Sequence, residues 1–333
     1  MTPTTSALLR AGAALGAIGA VTGGVSLAWA LHEAHLFTLR EADVPALPPG
    51  SPQIRLLHLS DLHITPEQTD KAAWVADLAR LSPDLVVVTG DFLGHQKAVP
   101  FVLEALAPLL SRPGAFVLGS NDFFGPRRVN PLGYLTGPSR IRRRRPFLPW
   151  GDLVSGLRRS GWSDLNNRVG SLEIAGLRVE ARGVNDPHIG LDHYSSVAGP
   201  FPPEADLRLG VAHAPYLRVL DAMAADGADL ILAGHTHGGQ VCLPGGRALV
   251  TNCDLDTTRA RGLSSHRPGQ RRLRETGNEP PQGQPADVAG IAASGLTHCS
   301  YLHVSAGLGT APSAPIRFFC RPEATLLTLV GRD

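Results

Sequence analysis

Short apolar runs separated by polar loops alternate with helix-like stretches from residue 54 onward. Apolar runs of about four to eight residues are typical of buried strands, whereas apolar positions three and four apart are typical of helices. The pattern predicts strands at Ile54–Leu59, Leu85–Thr89, Ala115–Leu118, Ser171–Ile174, Arg178–Gly183, Leu207–Ala212, Asp229–Ala233, Tyr301–Ser305 and Ala324–Leu329, and helices at Lys71–Leu81 and Val99–Leu110. This alternation favours an α/β fold over a helical bundle.

Residues 1–33 form a separate, apolar segment. No charged residue occurs from Ala11 to Leu31, a run long enough to cross a bilayer, and Arg10 precedes it. The triplet Ala28-Trp29-Ala30 also resembles a signal cleavage site. Two interpretations therefore remain: a signal anchor of a single-pass membrane protein, or a signal peptide of a secreted one. Because a positive charge tends to stay in the cytoplasm, both predict that the following domain is extracytoplasmic.

The rest of the chain is predicted as a linker over residues 34–53 and one domain over residues 54–333. Within that domain, residues 259–288 are polar and rich in Arg, Gly, Pro and Gln, which indicates a flexible insertion. The run Arg142–Arg145 is interpreted either as a contact for anionic substrate or lipid, or as a solvated face. The formal net charge of +2 is too small to indicate a nucleic-acid partner. The sequence does not indicate an oligomeric state.

Polar side chains that can bind metals follow five of the predicted strands. Open α/β sheets place their sites beyond the carboxyl ends of the strands, so these side chains are expected to meet. They belong to Asp61, His63, Asp91, Asn121, Asp122, His213, His235 and His237. Carboxylates, imidazoles and amides suit Mn, Fe or Zn. Burying so many polar groups without a metal would leave their desolvation uncompensated, so the pattern predicts a metal site.

Two pairs of these residues are separated by one position. In extended backbone, side chains two residues apart point the same way. Asp61 and His63 are therefore predicted to face one metal, and His235 and His237 are predicted to do the same from another strand end.

The ordered set of motifs resembles the signature of the calcineurin-like metallophosphoesterases. It comprises Asp61-x-His63, Gly90-Asp91, Gly119–Asp122, His213 and Gly234-His235-Thr236-His237. The continuation to Gln240 and the late stretch from Gly307-Leu308-Gly309 to Arg321-Pro322-Glu323 are similar to a membrane-associated bacterial branch that includes YkuE- and YaeI-like phosphodiesterases. The resemblance implies a four-layer α/β/β/α sandwich of two mixed sheets. It also implies a hydrolase that cleaves a phosphodiester or phosphomonoester.

The resemblance further implies a centre of two divalent metals, Mn, Fe, Zn or Mg, that share a bridging hydroxide. The first metal would be held by Asp61, His63 and His237, the second by Asn121, His213 and His235, and Asp91 would bridge them. Asp122, Asn121 and His213 would also act on the substrate, a phosphate ester that is lipid-linked or otherwise located in the envelope.

One motif departs from the family pattern of Gly-Asn-His-Asp/Glu. Without a shift, Ser120 takes the place of the ligand Asn, and Asn121 that of the His that protonates the leaving group. With a shift of one residue, Asn121 remains the ligand and Asp122 takes the place of the His. Serine is a poor neutral ligand for these metals, which favours Asn121. Asp122 would serve as proton donor only with a raised pKa.

Two rival functions follow from these features. A non-catalytic, metal-stabilised module that binds anionic lipid or envelope polymer is consistent with the altered motif at Gly119–Asp122. A nuclease would need an extended basic groove, whereas the arginines outside one run are scattered.

The segments Asn185–His188 and Asp192–His193 are interpreted either as part of the site mouth or as solvated turns.

Overall fold

The computed structural model describes residues 22–126, 146–269, 299–311 and 314–333. The helices are α1 (22–33), α2 (Thr69–Asp77), α3 (Val99–Leu106), α4 (Ser120–Phe123), α5 (Trp150–Arg159) and α6 (Leu217–Ala225). The strands are β1 (Thr38–Leu47), β2 (Ile54–Leu59), β3 (Leu85–Thr89), β4 (Gly114–Val117), β5 (Ser163–Asp164), β6 (Arg168–Ile174), β7 (Leu177–Gly183), β8 (Leu207–Val211), β9 (Leu230–Ala233), β10 (Cys242–Leu243), β11 (Arg247–Ala248), β12 (Gly262–His266), β13 (Ser300–Val304) and β14 (Glu323–Gly331). Short 3-10 helices span Leu78–Leu81, Pro187–Ile189, Tyr194–Ser196, His237–Gly239 and Thr257–Arg259.

The strands form two six-stranded sheets and a small hairpin. The first sheet has the order β1-β14-β2-β3-β4-β5, and the second has the order β12-β13-β9-β8-β7-β6. Each is mixed: β14 runs antiparallel to β2 in an otherwise parallel sheet, while β12 and β6 run antiparallel to their neighbours. The strands β2, β3, β4, β8 and β9, which precede the candidate ligands, each have a parallel neighbour. Their carboxyl ends therefore gather at one edge of the sandwich.

Buried apolar side chains fill three spaces: the one between the two sheets, and the one between each sheet and the helices on its outer face. Alternate residues of a strand point to opposite faces of its sheet, so Leu56 packs between the two sheets while Leu57 packs on the outer face of the first. Helices α2, α3 and α5 cover that outer face, and α6 covers the outer face of the second sheet. The arrangement is a four-layer α/β/β/α sandwich, which confirms the predicted fold class.

The predicted linker at residues 34–53 contains a strand of the folded domain, which corrects the predicted domain boundary. Residues Thr38–Leu47 form β1, which pairs in parallel with β14 at the edge of the first sheet and buries Val44 and Leu47 completely. The folded domain therefore begins before Ile54. The strand was missed because Pro45 and three charged residues interrupt its apolar pattern, and an edge strand tolerates both.

The predicted insertion at 259–288 begins with ordered structure. Residues Gly262–His266 form β12, which extends the second sheet antiparallel to β13. Residues 270–288 and the run Arg142–Arg145 lie outside the described residues.

The last turn of α1 is anchored to the domain by its backbone and one carboxylate. The Glu33 carboxylate accepts hydrogen bonds from the amides of Phe319 and Cys320 at 3.0 and 2.8 Å, and the amide of Arg317 donates to the Ala30 carbonyl at 2.9 Å. Within the described ranges, no helix is long and apolar enough to cross a membrane. Residues 1–21, which contain much of the predicted apolar segment, lie outside those ranges.

Candidate metal centre

The candidate ligands lie on tight turns at the strand ends. Five of them have positive φ values: Asp61 at 50°, His63 at 43°, Asp91 at 56°, His235 at 69° and His237 at 49°. Residues other than glycine rarely adopt this backbone conformation, and the strain it costs is concentrated at functional sites. The prediction that each pair lies on extended backbone is therefore wrong.

The side chains of Asp61 and His63 nevertheless face the same space. The turn that carries them is held in place by hydrogen bonds to the neighbouring turn at Gly90 and Asp91. The amides of Asp61 and His63 donate to the carbonyls of Gly90 and Asp91, both at 2.9 Å. A first group of ligand atoms forms where these side chains meet His237, and the three residues are buried with their ligand atoms within 4.8 Å of one another.

The first group contains buried polar atoms that no hydrogen bond among the described residues satisfies. Asp61 Oδ1, both ring nitrogens of His63 and Nδ1 of His237 are buried without a hydrogen-bond partner among the described residues. Leaving such atoms unpaired is costly, and native proteins rarely do so without an ion or water.

A second group combines Asp61, Asp91 and His213, again with ligand atoms within 4.8 Å. Asp91 lies between the two groups, because its Oδ2 is 3.5 Å from Nε2 of both His63 and His213. Asp91 therefore lies within reach of ring nitrogens from both groups, and its role as a bridging ligand, which the resemblance implies, stays a prediction.

His235 and Asn121 extend the second group. His235 Nδ1 lies 3.3 Å from His213 Nε2, so His235 and His237 face different groups, in contrast to the prediction from their spacing. The Asn121 side-chain amide donates to Asp91 Oδ2 at 2.7 Å, and its backbone amide donates to Asp91 Oδ1 at 2.8 Å. This contact fits either register of the Gly119–Asp122 motif, and the choice between Ser120 and Asn121 as ligand stays a prediction.

Both carboxylate oxygens of Asp122 are held by backbone amides. Oδ2 accepts from Asp91 and Gly119 at 2.9 and 3.0 Å, and Oδ1 accepts from Leu93 at 3.0 Å. Burial, reinforced by the charge of Asp91, raises the pKa of Asp122 to about 7, while its hydrogen bonds from backbone amides favour the carboxylate. Asp122 therefore ties two ligand turns together, and its predicted role as proton donor stays a prediction.

The charge state of three of the four candidate imidazoles suits metal binding. Burial lowers the pKa of His63 to about 4 and holds the pKa values of His235 and His237 well below their usual range, so these rings stay neutral. His213 differs: burial lowers its pKa, but the carboxylates of Asp91 and Asp186 outweigh burial and raise the pKa well above the usual value. Its Nδ1 donates to the Thr89 carbonyl at 2.6 Å, which turns Nε2 toward Asp91. Neutral imidazoles, carboxylates and unpaired buried atoms together fit a divalent metal.

Comparison with known proteins agrees with this geometry. Residues 54–239 match the family model described as calcineurin-like phosphoesterase. The chain belongs to this family.

Relatives of the phosphoesterase include bacterial and animal proteins. It is 24% identical over 328 residues to the uncharacterized metallophosphoesterase YkuE of Bacillus subtilis (strain 168), a match that covers 94% of this chain and 93% of that one. It is 26% identical over 221 residues to a bovine transmembrane protein with a metallophosphoesterase domain, covering 61% and 45% of the two chains. The match to YkuE along nearly its full length places the chain in the YkuE-like branch.

Among solved structures, the phosphopantetheinyl hydrolase PptH of Mycobacterium tuberculosis is similar at 16% identity, with a TM-score of 0.32. That match covers 58% of this chain and 84% of that one. A likeness this distant carries no functional conclusion.

Two glycines of the phosphoesterase motifs leave room for the ligands. A Cβ atom at Gly119 would lie 2.3 Å from Asp91 Oδ1 and 2.7 Å from His213 Nε2. A Cβ atom at Gly234 would lie 1.8 Å from Ser60 Oγ and 2.6 Å from Asp61 Oδ2. Both positions therefore require glycine because ligand side chains occupy the space.

Two buried basic side chains that the sequence did not single out support the ligand turns of the phosphoesterase. Arg317 is fully buried and donates to the carbonyls of His237 at 2.6 Å and Ala306 at 2.7 Å. Lys71 of α2 donates to the Leu62 carbonyl at 2.8 Å, between Asp61 and His63. Neither has a sequence signal, because a lone Arg in a loop or Lys in a helix is usually solvated.

The segment Asn185–His188 reaches the edge of the phosphoesterase centre. The half-buried ring of His188 lies 4.5 Å from that of His235, and its Nδ1 is 3.1 Å from the Tyr216 hydroxyl. Asp186 is buried behind it and accepts from the His188 amide at 2.8 Å. Asp192, the other acidic residue of this region, instead forms a salt bridge with Arg218.

Proposed function

We propose that this chain hydrolyses a phosphodiester or phosphomonoester with two divalent metal ions. The observation that carries the proposal is the proximity of two buried ligand groups: Asp61 belongs to both, Asp91 Oδ2 lies 3.5 Å from a ring nitrogen of each, and several ligand atoms have no hydrogen-bond partner among the described residues. A binding module stabilised by a single structural metal has no need of two adjoining ligand groups. Membership of the phosphoesterase family supports the same reaction class.

The candidate ligands divide into two proposed sets. The first set is Asp61, His63 and His237, the second is Asn121, His213 and His235, and Asp91 is shared. Divalent metals bound there would polarise the phosphate oxygens and lower the pKa of water toward neutrality. The predominance of imidazole nitrogens favours Fe or Zn over Mg.

The leaving group needs either little protonation or a donor other than Asp122. The oxygens of Asp122 are engaged by backbone amides. His188 lies at the edge of the centre against His235, where its ring is suited to contact an oxygen of the ester. Esters with a good leaving group, such as nitrophenol, are therefore expected to be cleaved faster than alkyl esters.

Hydrolysis after metal reconstitution tests the proposal. The full chain is stripped with chelator and given Mn²⁺, Fe²⁺, Zn²⁺ or Mg²⁺ singly, and cleavage of bis-p-nitrophenyl phosphate and p-nitrophenyl phosphate is followed. Metal-dependent turnover that is lost in Asp91→Asn and kept in the control Asp152→Asn, in α5, is the expected result. Stoichiometric metal binding without cleavage of either ester would instead favour the metal-stabilised binding module.

We also propose that the substrate lies in the cell envelope and that residues 1–33 anchor or export the chain. The uncharged run from Ala11 to Leu31 and the exposed apolar side chains Val25, Leu27 and Trp29 on α1 support this. N-terminal sequencing of the protein from fractionated cells distinguishes the interpretations. An intact chain in the membrane fraction indicates an anchor, a chain that begins near Leu31 indicates cleavage, and an intact chain in the cytoplasm contradicts both.

A further inference from the structure

A row of buried polar side chains leads from the space between the sheets to the ligand Asp61. It begins at His303 on β13 and continues through His58 on β2, Thr89 on β3 and Ser60. The side chains are joined in that order by distances of 2.8, 2.9, 2.7 and 2.5 Å, ending at Asp61 Oδ2. All five residues are at most 2% exposed. A continuous polar row in this position is unusual, because the surrounding contacts between the sheets are apolar.

The carboxylate fixes the direction of the first links. A carboxylate only accepts, so the Ser60 hydroxyl donates its hydrogen to Asp61. The Ser60 oxygen then accepts from the Thr89 hydroxyl, whose other acceptor within reach, the Leu59 carbonyl, is more distant at 3.5 Å. The Thr89 oxygen is left to accept from His58, which must carry its hydrogen on Nε2.

The tautomer of the second histidine follows from the first. Burial, and secondarily His303, lowers the pKa of His58 well below its usual value, and burial lowers the pKa of His303 to about 4. Both rings are therefore neutral, and each carries one N–H. Since His58 has its hydrogen on Nε2, its Nδ1 accepts from Nδ1–H of His303 at 2.8 Å. Every hydrogen in the row points toward Asp61.

The two carboxylate oxygens of Asp61 have different surroundings. Oδ2 accepts from Ser60 and from the His235 amide at 2.9 Å. Oδ1 has no hydrogen-bond partner among the described residues and lies 3.7 Å from His237 Nε2. One oxygen is thus fixed by the protein while the other faces the first ligand group.

We propose that His303, His58, Thr89 and Ser60 are positioning residues that orient and polarise Asp61 as a metal ligand. The proposal rests on the proposed metal centre. Hydrogen-bond partners behind a ligating group fix its orientation, and their loss typically costs about 10–100-fold in metal affinity. In a row of aligned donors each hydrogen bond strengthens the next. Substitution of a residue in the row that does not touch Asp61 is therefore also expected to lower metal affinity.

The tautomers test the row without any metal. Nitrogen-15 spectra of the histidines in the stripped full chain should show neutral His58 with hydrogen on Nε2 and neutral His303 with hydrogen on Nδ1 at neutral pH. The opposite tautomer of either ring, or a protonated ring, would overturn the assigned direction.

Metal affinity tests the role of the row. Thr89→Val keeps the shape of the side chain but removes its hydroxyl, whereas Thr89→Ser keeps the hydroxyl. We expect Thr89→Val to weaken Mn²⁺ binding about tenfold or more and Thr89→Ser to retain most of it. Equal affinities in the two variants would overturn the proposal. If Thr89→Val does not fold, Ser60→Ala supplies the same comparison, with loss of affinity expected and unchanged affinity contradictory.

The outcomes separate this proposal from the proposed function. A wild-type chain that binds no metal would refute the metal centre and with it the role of the row in ligation. A wild-type chain that binds metal and cleaves esters, while Thr89→Val binds equally well, would refute the row alone.

Discussion

Replacing Gly119 by alanine should disable the metal centre through one methyl group. Gly119 adopts φ −113° and ψ 174°, an extended conformation that alanine tolerates, so the backbone conformation does not disfavour the substitution. The obstacle is the space that a methyl group would need, which Asp91 and His213 already occupy.

The overlap can be worked out from the distances. The methyl carbon would lie 2.3 Å from Asp91 Oδ1, whereas ordinary contacts begin at 3.4 Å, so one partner must move by about 1.1 Å. His213 is no easier to displace, because its Cε1 would lie 2.6 Å from the same carbon and its Nδ1 is bonded to Thr89. A displacement of about 1 Å in a catalytic group can cost roughly 100-fold in rate, and overpacking costs about 1–3 kcal/mol of stability.

Calorimetric titration of the stripped variant with Mn²⁺, alongside urea unfolding, measures both effects. We expect metal affinity to fall at least tenfold and the free energy of unfolding to fall by about 1–3 kcal/mol. The matched control is Gly151→Ala in α5, where no atom lies within 4 Å of the added carbon. That variant should bind metal normally and gain up to about 1 kcal/mol of stability. Wild-type affinity in Gly119→Ala would refute the assigned positions of Asp91 and His213.

Three other changes have expected outcomes. Burial lowers the pKa of Lys71 to about 7, so between about pH 7 and 10.5 the unfolded chain holds a proton that the folded chain lacks. Its contribution to the free energy of unfolding should rise with pH by about 1.4 kcal/mol per unit, and Lys71→Met should remove that slope in urea titrations. Arg317→Met leaves several buried carbonyls without their donor and should cost about 3 kcal/mol or more in urea unfolding; a loss below about 1 kcal/mol contradicts this. His188→Ala should lower kcat for bis-p-nitrophenyl phosphate about 100-fold without weakening Mn²⁺ binding, and an unchanged kcat would remove His188 from the site.

The strands that carry the ligands were predictable because they are short, apolar and buried. Ile54–Leu59 and Leu85–Thr89 have the predicted bounds. Helix Lys71–Leu81 instead runs as α2 from Thr69 to Asp77 and continues as a 3-10 helix to Leu81. Strand β1 was not predicted, since an edge strand needs only one apolar face and tolerates Pro45. Helices α5 and α6 were also missed, because strand ends and polar loops dominate the pattern around them.

The identity of the candidate ligands was predictable, but their conformation was not. Spacing of two residues suggested extended backbone for Asp61 and His63, whereas both have positive φ. Such strain is imposed by contacts between distant segments, here the bonds to Gly90 and Asp91, and these cannot be read from local sequence.

The residues that support the candidate ligands differ in how far the sequence could have identified them. His58 interrupts the apolar run of β2 at a position that alternation places between the sheets, and this anomaly could have identified it. Arg317 left no such trace, because its carbonyl acceptors come from segments up to 80 residues away.

Metal stoichiometry tests the central claim most directly. The stripped full chain is titrated with Mn²⁺ in a calorimeter, and Asp91→Asn is titrated in parallel. Two ions per wild-type chain, with at least one lost in Asp91→Asn, is the predicted result, because Asp91 lies between both ligand groups. A wild-type chain that binds one ion or none, or an Asp91→Asn chain that binds two with unchanged affinity, would contradict a two-metal centre built on Asp91.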